Sequence, residues 1–286
     1  MTRPAAHEGD LPRSAAPEAK RDASGASGLR AVVLDTDGVL TDSAGLHAAA
    51  WKAALDACLE ALPASRSSTW QRRPFDAVKE YVSLVDGRAL SDAVAAFLDS
   101  RGLRLPEGRP EDEPGRGTVW AIAAAEEQAF LDALGRRPVR AFPDVRPVLA
   151  ALRAQGVKCA AVSASRHATD LLVTAGIHGL FDTVVDGAET IRGRWAGTPQ
   201  PALFVEGARR LHVPPEQAAV AQEAPSGVEA ARRGGFALVA GVNREGSHER
   251  AARLYTHGAD VVVGDLAGLL IAGVGRWEGP GHHDGG

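Results

Sequence analysis

Asp35 and Asp37 are the residues of this chain best placed to do chemistry. They flank Thr36 and close an apolar run, Ala31-Val-Val-Leu34, of the kind that makes a strand buried on both faces. Gly38 then lets the backbone turn, and Val39-Leu40 resumes the apolar pattern. Open α/β sheets carry their chemistry at the carboxyl ends of their strands. A single Asp there could serve as a turn or helix-cap residue. Two, followed by a Gly, are costly to hold together unless a cation or a proton sits between them. A second polar cluster, Ser163-Ala-Ser-Arg166, ends the apolar run Val157 to Val162. Taken alone, its serines read equally well as caps of the helix that follows.

The elements that must position these groups follow from periodicity. Leu29 to Leu34 reads as the first strand. Leu46, Ala50, Ala53, Ala54, Ala57, Cys58 and Leu62 recur at helical spacing and stop before Pro63. Helices are also expected over Phe75 to Val82, Ser91 to Gly102 and Thr118 to Leu134. Leu103 to Gly117, rich in Pro, Gly and charge, reads as a loop. From Val139 the pattern alternates between helix and strand, which argues for a parallel sheet. Helices are expected over 144–155, 168–175, 199–211, 226–233 and from 266. Strands are expected over 157–162, 181–185, 218–221, 236–242 and 259–263.

The stretch from Asp35 to Lys52 resembles the first motif of the haloacid dehalogenase-like hydrolases, a strand ending in Asp-x-Asp-Gly. His47 and the pair Trp51-Lys52 are similar to the β-phosphoglucomutase branch. The resemblance extends over most of the chain from Gly28 to Gly275. It implies a Rossmann-like α/β fold, a three-layer core around a parallel sheet with an inserted α-helical cap. Residues 29–47 and 139–275 would form the core and 48–138 the cap. Residues 1–28, without apolar periodicity, read as a disordered leader, and 276–286 as a flexible tail.

The resemblance also assigns roles. Asp35 would be the nucleophile that forms an aspartyl-phosphate, and Asp37 the acid and base. Ser163, with Ala164 beside it, would hold a phosphate oxygen. Asp35, the main-chain carbonyl of Asp37 and Glu223 would bind Mg²⁺. His47 could contact the nucleophile or the substrate, and Arg88, on the cap, is a further substrate contact. Several positions depart from the pattern. The lysine that neutralises the phosphoryl group is replaced by Thr198, between Gly197 and Pro199, whose uncharged hydroxyl would give the phosphate one hydrogen bond. Losing a buried cation there costs on the order of 3–5 kcal/mol. Arg192 and Arg194 are the nearby candidates to replace it. The acidic pair of the fourth motif reads Gln222-Glu223, which keeps one carboxylate and offers Gln222 as an uncharged oxygen ligand. Ala125-Glu126 stands where the family carries an Arg-Lys pair that reaches a second phosphate.

Composition narrows the field. The chain has 286 residues, 45% of them hydrophobic, with a net charge of −4. It offers no basic stripe for nucleic acid. Its apolar runs are broken before membrane-spanning length, so no membrane partner is expected. The opening residues lack the apolar core of a signal peptide. Cys58 and Cys159 lie far apart in apolar surroundings, which suits buried thiols and a reducing cytoplasm. A monomer is the default for this size and fold. Three functions fit the pattern: a Mg²⁺-dependent phosphatase for a small phosphorylated sugar or cyclitol, a β-phosphoglucomutase-like phosphomutase, and a degenerate relative with a binding or structural role.

Overall fold

A computed structural model describes residues 29–65, 67–86, 88–136, 139–193 and 195–274. The segments expected to be a disordered leader and a flexible tail, and Arg194, lie outside the described residues. Six strands form one parallel sheet: β1 (Ala31–Asp35), β2 (Lys158–Val162), β3 (Thr183–Val185), β4 (Ala218–Gln222), β5 (Leu238–Val242) and β6 (Val261–Val263). Their order is β3-β2-β1-β4-β5-β6. From β1 the chain fills the sheet outward on one side and then, from β4, on the other. A crevice therefore opens beyond the strand ends between β1 and β4.

The strands alternate their burial between two helical layers. Val32 and Leu34 of β1 pack with Val148 and Leu152 of α4 (Val145–Ala154), Leu172 of α5 (Ala168–Thr174) and Leu269 of α10 (Ala267–Ile271). Ala31 and Val33 face the opposite layer. There they meet Phe204 of α7 (Ala202–Arg210), Val228 of α8 (Pro225–Arg233) and Leu254 of α9 (His248–Thr256). Both faces of β1 are fully buried, which is why its sequence is an unbroken apolar run.

Between β1 and α4 lie three long helices, α1 (Ala44–Glu60), α2 (Leu90–Ser100) and α3 (Val119–Arg136). They have their own apolar core, with Trp51, Leu55 and Leu59 from α1, Phe97 from α2 and Ile122 from α3. Each such burial stabilises by about 1.5–3 kcal/mol. Arg101 is sealed at its edge. Its guanidinium lies 5.1 Å from the rings of both Trp70 and Phe97 and donates to Glu80 and to the carbonyl of Trp70. This is the inserted helical cap. Among the described residues no helix is long and apolar enough to cross a membrane.

One expectation changes, and two unexpected helices are present. The helix expected over Phe75 to Val82 shrinks to a wide turn, Tyr81–Val85, after a short helical start. The Asp76 carboxylate accepts the N–H groups of Val78 and Lys79, so the chain enters through a side-chain turn, and Asp86 leaves it in an extended conformation. Two helices carry too few apolar residues to show a period, α6 (Gly187–Gly193) and α9. Both are started by side chains. Asp186 accepts from Ala188 and Glu189, and Ser247 accepts from Arg250.

Candidate active site

The register of the sheet assembles the site. Asp35 lies level with Val162 across one side, so Ser163 follows at the same end. Leu34 lies level with Ala221 across the other, which puts Glu223 two residues further on. Asp35, Asp37, His47, Ser163, Ala164 and Glu223 line one cavity of about 290 Å³ beneath the inserted helices, and Arg88 lines it from the cap side.

The turn after β1 is tightly specified. The Thr36 carbonyl accepts from the N–H groups of Leu40 and Thr41 and from the Thr41 hydroxyl. Gly38 adopts φ +69°, in the left-handed region that glycine occupies without strain. A Cβ there would stand 1.0 Å from Glu223 Oε2. Gly38 thus serves the turn and also makes room for the Glu223 carboxylate to lie across it.

Asp37 is held by three side chains. It accepts from Ser43 Oγ and, at 3.2 Å, from Ser163 Oγ, and His47 Nε2 stands 3.4 Å away. Burial alone would raise its carboxyl, but the His47 charge and these hydrogen bonds outweigh it and hold the group below its usual value. His47 is clamped on its other side by Glu126 at 3.4 Å and stacks on Phe130 with ring centroids 4.0 Å apart. Burial opposes its charge, yet Asp37 and Glu126 prevail and raise it to about 10. Asp35 behaves in the opposite way. Burial first, then repulsion from Asp37, pushes its carboxyl well above the ordinary range, although Thr36 N–H donates to it at 2.9 Å.

The far wall is acidic too. Burial, only partly offset by Arg250 and reinforced by Asp86 and Asp37, raises Glu223 to about 7. Burial likewise raises Asp86 to about 6 against the pull of Arg250. Mutually repelling oxygens of this kind fit a hard divalent cation. Asp35, Asp37 and Glu223 line the cavity as the candidates to supply them. Among the described residues no three His, Cys, Asp or Glu side chains converge as a metal cluster.

Gln222 departs from its expected role as an oxygen ligand. Its Oε1 turns back to accept from the N–H groups of Glu223 and Ala224, the residues that lead into α8, and the side chain is buried. Thr198 departs as well. It does not line the cavity. Its hydroxyl donates to Ser226 Oγ at 3.3 Å, and Ser226 donates to the Asp86 carbonyl at 3.2 Å. This relay ties the sheet end to the loop that carries Asp86 and Arg88. Arg192 sits on α6, where its charge acts on Asp186, and it does not line the cavity.

Sequence reasoning missed two arginines. Arg250 lines the cavity and forms an ion pair with Glu223. Arg244 donates to the carbonyls of Gly38 and Val39 and pins the turn from below. Arg250 was detectable in principle. Ser247 in front of it is a helix cap. Of the pair Ala125-Glu126 only Glu126 lines the cavity, and Glu127 stands beside it on the cap wall. Glu126 faces His47, and Glu127 pairs with Arg166.

A family model described as haloacid dehalogenase-like hydrolase matches residues 29–235. A protein named β-phosphoglucomutase from Mycobacterium bovis is 41% identical over 244 residues, covering 85% of this chain and 92% of that one. A glyceraldehyde 3-phosphate phosphatase from Methanopyrus kandleri is 35% identical over 104 residues, 35% of this chain and 43% of that one. The crystal structure of a β-phosphoglucomutase from Clostridium difficile superposes with a TM-score of 0.64 at 20% identity, covering 84% of this chain and 93% of that one. The chain therefore belongs to the haloacid dehalogenase-like hydrolase family.

Proposed function

We propose that the protein is a phosphatase that removes phosphate from a small phosphorylated sugar or cyclitol through an aspartyl-phosphate on Asp35. One observation carries this: Asp35, Asp37, Ser163 and Glu223, from three separate strand ends, meet in one cavity under the cap. The Asp35 carboxylate attacks phosphorus, and the bond to the leaving oxygen breaks. As Asp35 becomes the attacking carboxylate it gives up the proton its raised carboxyl holds, and Asp37 carries that proton to the leaving oxygen and later takes one from the water that cleaves the acyl-phosphate. His47, between Asp37 and Glu126, holds the Asp37 carboxyl in place. Ser163, now donating to Asp37, can turn its hydroxyl to a phosphate oxygen. Asp35, Glu223 and the Asp37 carbonyl would hold Mg²⁺, which when bound supplies positive charge to the phosphoryl oxygens.

A phosphomutase is the second reading, and the 41% identity to a named β-phosphoglucomutase supports it. Such an enzyme must anchor two phosphates and keep water away from the intermediate. Here the cap wall presents Glu126 and Glu127, which favours water as the acceptor. The test is phosphate release from a panel of sugar and cyclitol phosphates, with and without Mg²⁺, using Asp35→Asn as the blank. Mg²⁺-dependent release that disappears in the variant is expected. Interconversion of sugar monophosphates without net release would establish the mutase. Equal release by Asp35→Asn would overturn both.

A further inference from the structure

We propose that Arg250 is the cation that receives the phosphate group in this site, in place of the lysine absent at Thr198. The inference rests on the phosphoryl-transfer reading above and adds a residue to it.

The charge around the cavity makes such a group necessary. Among the described residues seven carboxylates line it, against two arginines, two histidines and no lysine. A phosphate ester carries up to two negative charges and cannot enter such a space without a strong counter-charge. The histidines are committed elsewhere. His47 is held between Asp37 and Glu126, and His167 stands 3.7 Å from Glu127 and 3.6 Å from Asp170. Arg88 rides on the cap loop. Arg250 is the arginine on the sheet side, next to Glu223 at the end of β4.

Its geometry suits the task. The side chain is 17% exposed, so it is shielded yet open to the cavity. Among the described residues its guanidinium hydrogen bonds go to Glu223 alone. The remaining donors of the planar fork match two phosphate oxygens at once. The backbone under it is fixed, because Ser247 caps α9 by accepting the Arg250 N–H at 3.3 Å. Glu223 acts as a holding partner that keeps the fork pointed inward before the substrate arrives. Thr198 cannot do this, since its hydroxyl is directed to Ser226.

The test uses the full chain and inorganic phosphate as the probe, with affinity read by isothermal titration calorimetry and turnover read separately. Arg250→Met is expected to weaken phosphate binding about tenfold or more, the equivalent of one charge-assisted bond. Arg250→Lys keeps charge but loses the fork, and should fall between that variant and the parent. It keeps the question answerable if the Met variant fails to fold. Arg192→Met should bind as the parent does. Parent-like binding by both Arg250 variants, no binding by the parent, or loss on Arg192→Met would overturn the assignment. Failure of the phosphatase reading is distinct: it appears as turnover by Asp35→Asn, or as no turnover by a parent whose phosphate affinity still depends on Arg250.

Discussion

Arg244 and Asp144, 100 residues apart in sequence, meet in a two-pronged ion pair with both contacts at 3.0 Å. The same guanidinium donates to the carbonyls of Gly38 and Val39 and lies 3.8 Å from the centre of the Phe142 ring. Asp144 also accepts the N–H of Leu266. The pair thus fixes the turn that carries Asp37 to the helix layer beneath it.

This pair predicts a pH dependence of stability. Burial works against the Asp144 charge, but the Arg244 hydrogen bonds, the Leu266 N–H and the Arg244 charge hold its carboxyl below the ordinary value. A depressed carboxyl stabilises above its unfolded value and loses that contribution as pH falls through the folded one. Asp144→Asn should cost about 1–3 kcal/mol at neutral pH. The gap to the parent should close as pH drops below about 4. Urea unfolding at the two pH values measures it, and a gap that widens in acid would contradict the assignment.

Gly38→Ala tests the turn itself. The left-handed φ of +69° costs a non-glycine residue about 1 kcal/mol, and the new methyl would overlap Glu223 Oε2. Glu223 can swing aside, so the protein should still fold, destabilised by about 1–2 kcal/mol. The displaced carboxylate should also reduce any stabilisation by Mg²⁺. Melting curves with and without the ion would show it, and an unchanged Mg²⁺ shift would mean that Glu223 does not bind the metal.

Much of this architecture could be read in the sequence because burial was written into it. β1 sits between two helical layers, so its residues had to be an unbroken apolar run, and the aspartates had to mark its end. The groups that were not legible owe their positions to side-chain hydrogen bonds rather than to apolar periodicity. α9 buries only Leu254, so no period announced it, and Arg250 went unnoticed with it. Gln222 looked like a ligand by position, but Pro225 three residues later opens a helix whose approach needs an acceptor, and the amide oxygen is used there. Thr198 faced the same competition. Its hydroxyl donates to Ser226.

His47 and Glu126 should be energetically coupled. The imidazole is charged between two carboxylates and packed flat on Phe130, so His47→Leu keeps the packing and removes the charge. Glu126 is then left buried without a partner. Glu126→Gln relieves that penalty. The double variant should therefore be more stable than the sum of the single changes implies, by a coupling energy of about 1–3 kcal/mol. Additive losses in a double-mutant cycle would show that the contact at 3.4 Å carries no energy.

Thr198→Val separates bracing from catalysis. The change keeps the shape of the side chain and deletes the hydroxyl at the head of the relay through Ser226 to the Asp86 carbonyl. A hydrogen bond is worth about 0.5–1.5 kcal/mol, so the global cost should be small. The local cost should not be, because this relay joins the sheet end to the cap loop bearing Asp86 and Arg88. Amides in the segment 86–92 should exchange with solvent several-fold faster, while those of β1 and β4 keep their protection. Substrate KM should rise with little change in kcat, since the loop positions the substrate and the groups on Asp35 and Asp37 are untouched. A fall in kcat with unchanged exchange would instead place the Thr198 hydroxyl in the chemistry, and would mean that it leaves Ser226 when the substrate binds.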